Sequence, residues 1–172
     1  MIESSTPDLL AALASSAYWL AGIATILLVA LSVVLHFEGM DMLSRSIGGW
    51  RVPTRARMVL VVFCLIGLHS VEIWIFGAGV HGLAQVPGLQ APTHLPAMKL
   101  LDTIYLSAIT YTTVGYGDLV PHGPLRLVLA SEALTGLVMI TWSASFTYLE
   151  MERYWRPQRR RRSGHPHRSA RP

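Results

Sequence analysis

Charged residues are scarce in this sequence. Asp, Glu, Lys and Arg make up only 14% of the 172 residues, while hydrophobic residues make up 52%. Soluble domains carry about 25% charged residues, so this balance excludes an ordinary soluble domain. The length is taken up by apolar segments, and we expect an all-α membrane protein without a separate soluble domain.

Cysteine and N-terminal basic residues are also scarce. Cys64 is the only cysteine, so an internal disulfide is excluded. The N-terminus runs from Met1 to Asp8 without a basic residue, ahead of the first apolar segment. A secretory signal peptide opens with positive charge, so we predict that this segment is retained as a membrane helix.

Three apolar segments are long enough to cross a bilayer, which takes about 20 residues. They cover residues 17–37, 58–80 and 124–149. A fourth apolar stretch, from about Leu100 to Tyr111, follows a loop rich in Gly, Pro and His. It would form only about 18 Å of helix, and Asp102 is placed to cap its start. We therefore predict a short re-entrant helix here, since a full span needs about 30 Å.

The string Thr-Thr-Val-Gly-Tyr-Gly-Asp occupies residues 112–118, between this short helix and the third span. It resembles the selectivity-filter signature of potassium channels residue for residue from Thr113 to Gly117, and extends to Thr112 and Asp118. The resemblance covers residues 58–150. It implies an outer helix, a re-entrant pore helix, a filter loop and an inner helix, and K⁺ as the permeant ion with no other cofactor.

The resemblance also implies a role for each residue of this string. Backbone carbonyls of Thr113, Val114, Gly115 and Tyr116 would bind K⁺, and Gly117 would complete the filter. Such carbonyls replace the hydration shell of the ion. Gly115 and Gly117 can adopt positive φ without steric cost, which we expect the loop to require.

The resemblance also implies supporting roles for side chains of the string that do not bind the ion. The side chains of Val114 and Tyr116 are expected to pack against the pore helix, with Thr112 and Asp118 as filter support. In some members of the family, the aspartate pairs with a pore-helix glutamate. The corresponding residue here is Ile109, so that pair is absent.

The distribution of basic residues predicts the orientation. Of the 14 Lys and Arg residues, Lys99 and Arg126 alone fall on the side of the filter loop. The positive-inside rule then places the N-terminus outside and the C-terminus in the cytoplasm, in a plasma or inner membrane. We divide the chain into residues 1–57 with the first span, the pore domain 58–150, and a basic tail 151–172 that we expect to be disordered from Pro157 onward.

Four residues within the second and third spans are candidates for gating or bracing. Ionisable groups at membrane depth are functional candidates, and here these are His69, Glu72 and Glu132. We expect His69 or Glu72 to reach Glu132 or the pore-helix residues Thr103 and Ser107. Bracing of the pore helix, a proton-sensitive gate and metal binding remain alternatives. Gly136 is interpreted either as a hinge or as a site of close packing.

The sequence contains one copy of the filter string, so we expect a homotetramer that conducts K⁺ passively. Alternatives are a nonselective cation channel and a non-conducting, regulatory channel subunit. No catalytic constellation or nucleotide-binding loop is evident, which predicts a protein that is not an enzyme. The basic run of the tail is interpreted either as a solvated segment that sets the orientation or as a site for anionic lipids, and nucleic acid is not an expected partner; the run is Arg159, Arg160, Arg161 and Arg162.

Overall fold

Four helices form the described part of the protein. The computed structural model describes residue 10 and residues 14–89 and 99–163, with side chains up to residue 153 except that of residue 54. The helices are α1 (Ser16–Ile47), α2 (Thr54–Ala84), α3 (Leu100–Tyr111) and α4 (Leu125–Ser163). Helices α1, α2 and α4 are long and apolar enough to cross a membrane.

Helix α3 has the bounds that the sequence predicts. The backbone N–H of Lys99 donates to Asp102 Oδ2 at 3.0 Å, so Asp102 caps the start of the helix as expected. Helices α1 and α2 contain the first two predicted spans and extend beyond them at both ends. Helix α4 begins one residue after the predicted start of the third span and continues beyond its end.

The expectation of disorder from Pro157 was wrong for residues 157–163, which continue α4. Arginine is a good helix former, and a helix already formed in the span extends more easily than a new one starts. The predicted lipid contacts at Arg159–Arg162 concern side chains that lie outside the described part of the protein. The tail after residue 163 also lies outside it.

The helices enclose three apolar layers along the bundle. One layer joins Ala21 of α1 to Val80 of α2 and Val128 of α4, with side chains from α3. The middle layer contains Phe76, Tyr111 and Met139. The third lies near the loop between α1 and α2, and its buried members are Met40, Leu43, Ile47, Val61 and Leu65. Helix α1 is therefore packed along α2 and α4.

Helix α3 lies close to α2 at Gly77. A Cβ atom added at Gly77 would lie 2.7 Å from the Cα atom of Ile104, a backbone atom that cannot rotate away. A Cβ atom at Gly67, ten residues earlier on the same helix, would meet nothing within 4 Å. The absence of a side chain at residue 77 sets the separation of α2 and α3.

We expect Gly77→Ala to destabilise the protein by about 1–3 kcal/mol, because overpacking forces a shift of the backbone. Gly67→Ala is the matched control, and the better helix propensity of alanine should leave it neutral or stabilising. Thermal unfolding of the detergent-purified protein measures both. Equal unfolding midpoints for the two variants would contradict the close contact.

Candidate functional site

The loop after α3 is held to the end of the helix by backbone hydrogen bonds. The N–H of Thr113 donates to the carbonyl of Thr110 at 2.9 Å, and the N–H of Gly115 donates to the carbonyl of Ile109 at 2.9 Å. The second bond folds the middle of the string back toward the helix. The loop therefore begins in a position fixed by α3.

Positive φ values alternate along this loop. The φ angle is 59° at Thr113, 53° at Gly115 and 78° at Gly117. The values at the two glycines confirm the prediction of left-handed backbone there. Thr113 is the only non-glycine residue with positive φ among the described residues, and such a conformation costs an L-residue about 1–2 kcal/mol.

The side chains of Val114 and Tyr116 lie outside the core of the single chain. Val114 is 54% exposed and Tyr116 is 73% exposed. The expectation that they pack against the pore helix is therefore not met within one chain. Helix α3 directs its buried side chains toward α2 and α4 instead, so contacts for these two residues would have to come from another molecule.

Asp118 contacts the same helix at a residue that the sequence analysis did not single out. The hydroxyl of Tyr105 donates to Asp118 Oδ2 at 3.0 Å. This hydrogen bond raises the pKa of Tyr105 above its usual value, because losing the proton would place two negative charges together. Ile109, which stands in place of the pore-helix glutamate of that pair, is buried. Tyr105 thus ties the far end of the loop to α3.

A buried carboxylate from α4 reaches the middle of α3. The Ser107 hydroxyl contacts Glu132 Oε1 and also lies 2.9 Å from the backbone carbonyl of Ile73 in α2. Glu132 and Ser107 are fully buried. One serine hydroxyl therefore links three helices, and Glu132 reaches Ser107, a contact that was not predicted.

A second buried carboxylate, that of Glu72, reaches the end of α3. Its Oε2 atom accepts a hydrogen bond from the Tyr111 hydroxyl and lies 3.2 Å from His69 Nδ1. Its Oε1 atom lies 2.8 Å from Nδ1 of His36, which comes from α1. Glu72, His36 and Tyr111 are fully buried.

The predicted contacts of His69 and Glu72, two residues of the second span, were wrong. His69 and Glu72 contact Tyr111, whereas the expectation was Glu132, Thr103 or Ser107. Tyr111 lies one turn beyond Ser107 in α3. Glu132 contacts the turn at Ser107 and Glu72 contacts the next turn, at Tyr111. His36 was missed, although an ionisable residue inside a predicted span is a sufficient signal.

Gly136 lies where α4 passes the start of the loop. A Cβ atom here would collide with the backbone carbonyl oxygen of Tyr111. Helix α4 runs without interruption through this residue. The structure thus places Gly136 at a close contact between α4 and α3, which is one of the two alternatives that the sequence left open.

Comparison with known proteins gives one family and two relatives. Residues 68–151 match the family described as ion channel. The chain is 30% identical to Protein LctB of Geobacillus stearothermophilus over 89 residues, which are 52% of this chain and 65% of that protein. It is 48% identical to Protein LctB of Bacillus caldotenax over 40 residues, which are 23% of this chain and 30% of that protein.

These matches cover less than two thirds of either relative, and no solved structure matches significantly. The family match begins within α2, just before His69, and ends in α4. It therefore includes α3 and the loop 112–118. The match to an ion channel family and the three apolar helices support a membrane protein.

Ser107→Ala tests whether the contact between α3 and α4 stabilises the fold. The substitution leaves Glu132 buried without its hydroxyl partner, so we expect a loss of about 1–3 kcal/mol. Ser70→Ala is the control, since the Ser70 hydroxyl is exposed and bonds only to its own helix, at the carbonyl of Ile66. Chemical unfolding in mixed micelles compares the two. A loss of stability no greater than that of Ser70→Ala would contradict the bracing role.

Proposed function

We propose that this protein is a K⁺-selective channel in which four identical chains form one filter from residues 112–118. K⁺ would lose its water to rings of backbone carbonyls from Thr113, Val114, Gly115 and Tyr116, with Gly117 completing the string. Adjacent sites of moderate affinity let ions displace one another, which gives passive transport down the gradient.

The alternation of φ along the loop is the observation that carries this proposal. Positive φ at Thr113, Gly115 and Gly117 alternates with ordinary backbone at Val114 and Tyr116. A residue-by-residue alternation of left-handed and right-handed backbone turns successive carbonyls to the same side of the chain. A row of oxygens on one side is what a dehydrated cation requires, and it is not a feature of an ordinary turn.

Three further features support a pore at this place. Val114 and Tyr116 present apolar surface that one chain leaves uncovered, and neighbouring subunits would cover it. One chain supplies one filter string, so a closed ring needs several chains. The C-terminal end of α3 carries about −0.5 charge from the helix dipole, which favours a cation near Tyr111.

The proposed orientation places the loop on the outer face of the membrane. The basic residues between α1 and α2 and those after α4 would then lie in the cytoplasm, as the positive-inside rule requires. The membrane would be the plasma or inner membrane. Anionic headgroups near the arginine run of residues 159–162 would add about 1 kcal/mol per basic residue.

Ion flux into proteoliposomes tests the selectivity. We expect the reversal potential in opposed K⁺ and Na⁺ gradients to follow the K⁺ gradient, and Ba²⁺ to block the current. A reversal potential near zero would identify a nonselective cation channel. Vesicles that remain impermeable to both ions would favour a regulatory subunit without its own pore.

Gly115→Ala provides the matching variant. Alanine at positive φ costs about 1–2 kcal/mol in each chain, and the cost recurs in every copy of the loop, so we expect K⁺ flux to fall more than about tenfold. Gly123 also has positive φ, of 64°, but lies beyond Asp118. Gly123→Ala therefore introduces the same backbone strain outside the proposed ion path and should keep most of the K⁺ flux. Equal losses of K⁺ flux in both variants would contradict the assignment.

The tetramer makes a separate prediction. Purified particles should have a protein mass four times the 18.9 kDa of one chain, because each chain contributes one quarter of the ring. Native mass spectrometry or light scattering with detergent correction measures this mass. Monomers or dimers that still conduct K⁺ would contradict the proposed ring.

A further inference from the structure

Three potential metal ligands meet between α1 and α2. His36 Nδ1 lies 2.8 Å from Glu72 Oε1, and His69 Nδ1 lies 3.2 Å from Glu72 Oε2. One donor atom from each of the three side chains lies within 4.8 Å of the others. Two imidazoles and one carboxylate are thus close enough to share one ion, although His36 is far from the other two in sequence.

The cluster is enclosed by the bundle. His36 and Glu72 are fully buried, and the side chain of His69 is 17% exposed. Solvated acidic and basic side chains often cluster on surfaces without any ligand, but these residues are placed where water does not compete for them. Polar groups at this depth are costly unless something binds them. A site of this kind is built by the packing of two helices.

Outer contacts hold the ligands in the orientation that a metal needs. The imidazole of His36 directs Nδ1 at Glu72, while its Nε2 lies 3.3 Å from Ser143 Oγ of α4. The Tyr111 hydroxyl contacts Glu72 and lies 3.1 Å from His69 Nδ1. Metal-binding histidines typically use the second ring nitrogen as His36 does, and ligating carboxylates are hydrogen-bonded in turn, as Glu72 is by Tyr111.

The spacing of the donor atoms fits a shared ligand. Zinc–nitrogen bonds and zinc–oxygen bonds are about 2.0–2.2 Å long, and the three donor atoms lie within 4.8 Å of one another. An ion bonded to all three would take the place of the direct contacts of the two imidazoles with Glu72.

We propose that His36, His69 and Glu72 bind one divalent transition-metal ion of the Zn²⁺ class, which fastens α1 to α2. Two imidazole nitrogens and one carboxylate oxygen are a donor set suited to Zn²⁺, Co²⁺ and Ni²⁺ and poorly suited to Mg²⁺ or Ca²⁺, which prefer oxygen. A site with three protein ligands leaves a fourth position, which water or the neighbouring Tyr111 hydroxyl would occupy.

The bound metal would explain the role of α1, which is to be cross-linked to α2. His36 is the only ligand from α1, so the ion cross-links this helix to α2 at a point next to Tyr111, where the loop 112–118 begins. The site stands apart from K⁺ conduction, because imidazole nitrogens do not select for K⁺. It can therefore be tested without any measurement of ion flux.

Co²⁺ titration of the tag-free, full-length protein in detergent tests the site directly. Four-coordinate Co²⁺ gives intense visible absorption, whereas weakly bound octahedral Co²⁺ gives little. We expect saturation at one Co²⁺ per chain and loss of the bands when Zn²⁺ is added. Absence of a saturable four-coordinate spectrum in the wild-type protein would overturn the proposal.

Matched variants assign the ligands. His36→Gln and Glu72→Gln should each weaken Co²⁺ binding at least about 100-fold, while His122→Gln, which removes an exposed histidine from the loop after Asp118, should leave it unchanged. His69→Gln gives the same test at a partly exposed ligand if the buried variants do not fold. Unchanged spectra in the ligand variants would overturn the proposal, because they would place the ion on other histidines.

Ser143→Ala separates an oriented site from a chance cluster. It keeps all three ligands and removes only the contact at His36 Nε2, so Co²⁺ affinity should fall about 10- to 100-fold. A spectrum and affinity identical to those of the wild-type protein would show that His36 is not held by this contact as a ligand, which would count against the site.

Discussion

The hydroxyl groups of Ser107 and Tyr111 lie on successive turns of α3, and each contacts a buried carboxylate on a neighbouring helix. Glu132 comes from α4 and Glu72 from α2. A helix of 12 residues is marginal by itself, so its position depends on these neighbours. A carboxylate stripped of its partner in this interior would be costly. The two pairs therefore fix both the depth and the rotation of α3, and with them the point at which residues 112–118 begin.

The parts of this arrangement that depend on local chemistry could be predicted from the sequence. The bounds of α3 followed from an apolar stretch too short to cross a bilayer and from Asp102 at its start. Positive φ at Gly115 and Gly117 followed from the string itself, since glycine adopts this backbone without steric cost. Spacing and residue type are enough when a feature lies within a dozen residues.

Contacts between distant segments could not be predicted in the same way. Glu72 is separated by 36 residues from His36 and by 39 from Tyr111, and no periodicity relates them. The choice of Tyr111 over Ser107 as its partner depends on how α2 is rotated against α3. The distance between α2 and α3 depends on Gly77, because any side chain at this residue would meet the backbone of Ile104. The length of α4 also differs from the prediction, because a basic, Pro-rich and short tail indicates disorder, whereas arginine has a good helix propensity and continues a helix that is already formed.

Helix α1 lies outside the segment that matches the ion channel family, yet it is joined to the core of that segment. Glu72 has one oxygen on His36 of α1 and the other on Tyr111 of α3. If α1 moved away, a buried carboxylate would lose a partner, and its remaining contacts with Tyr111 would have to rearrange. The position of α1 and the position of the loop are thus coupled through a single side chain. Residues 58–150 and α1 are separate segments of the sequence, but the buried Glu72 of the first segment has His36 of α1 as a hydrogen-bond partner.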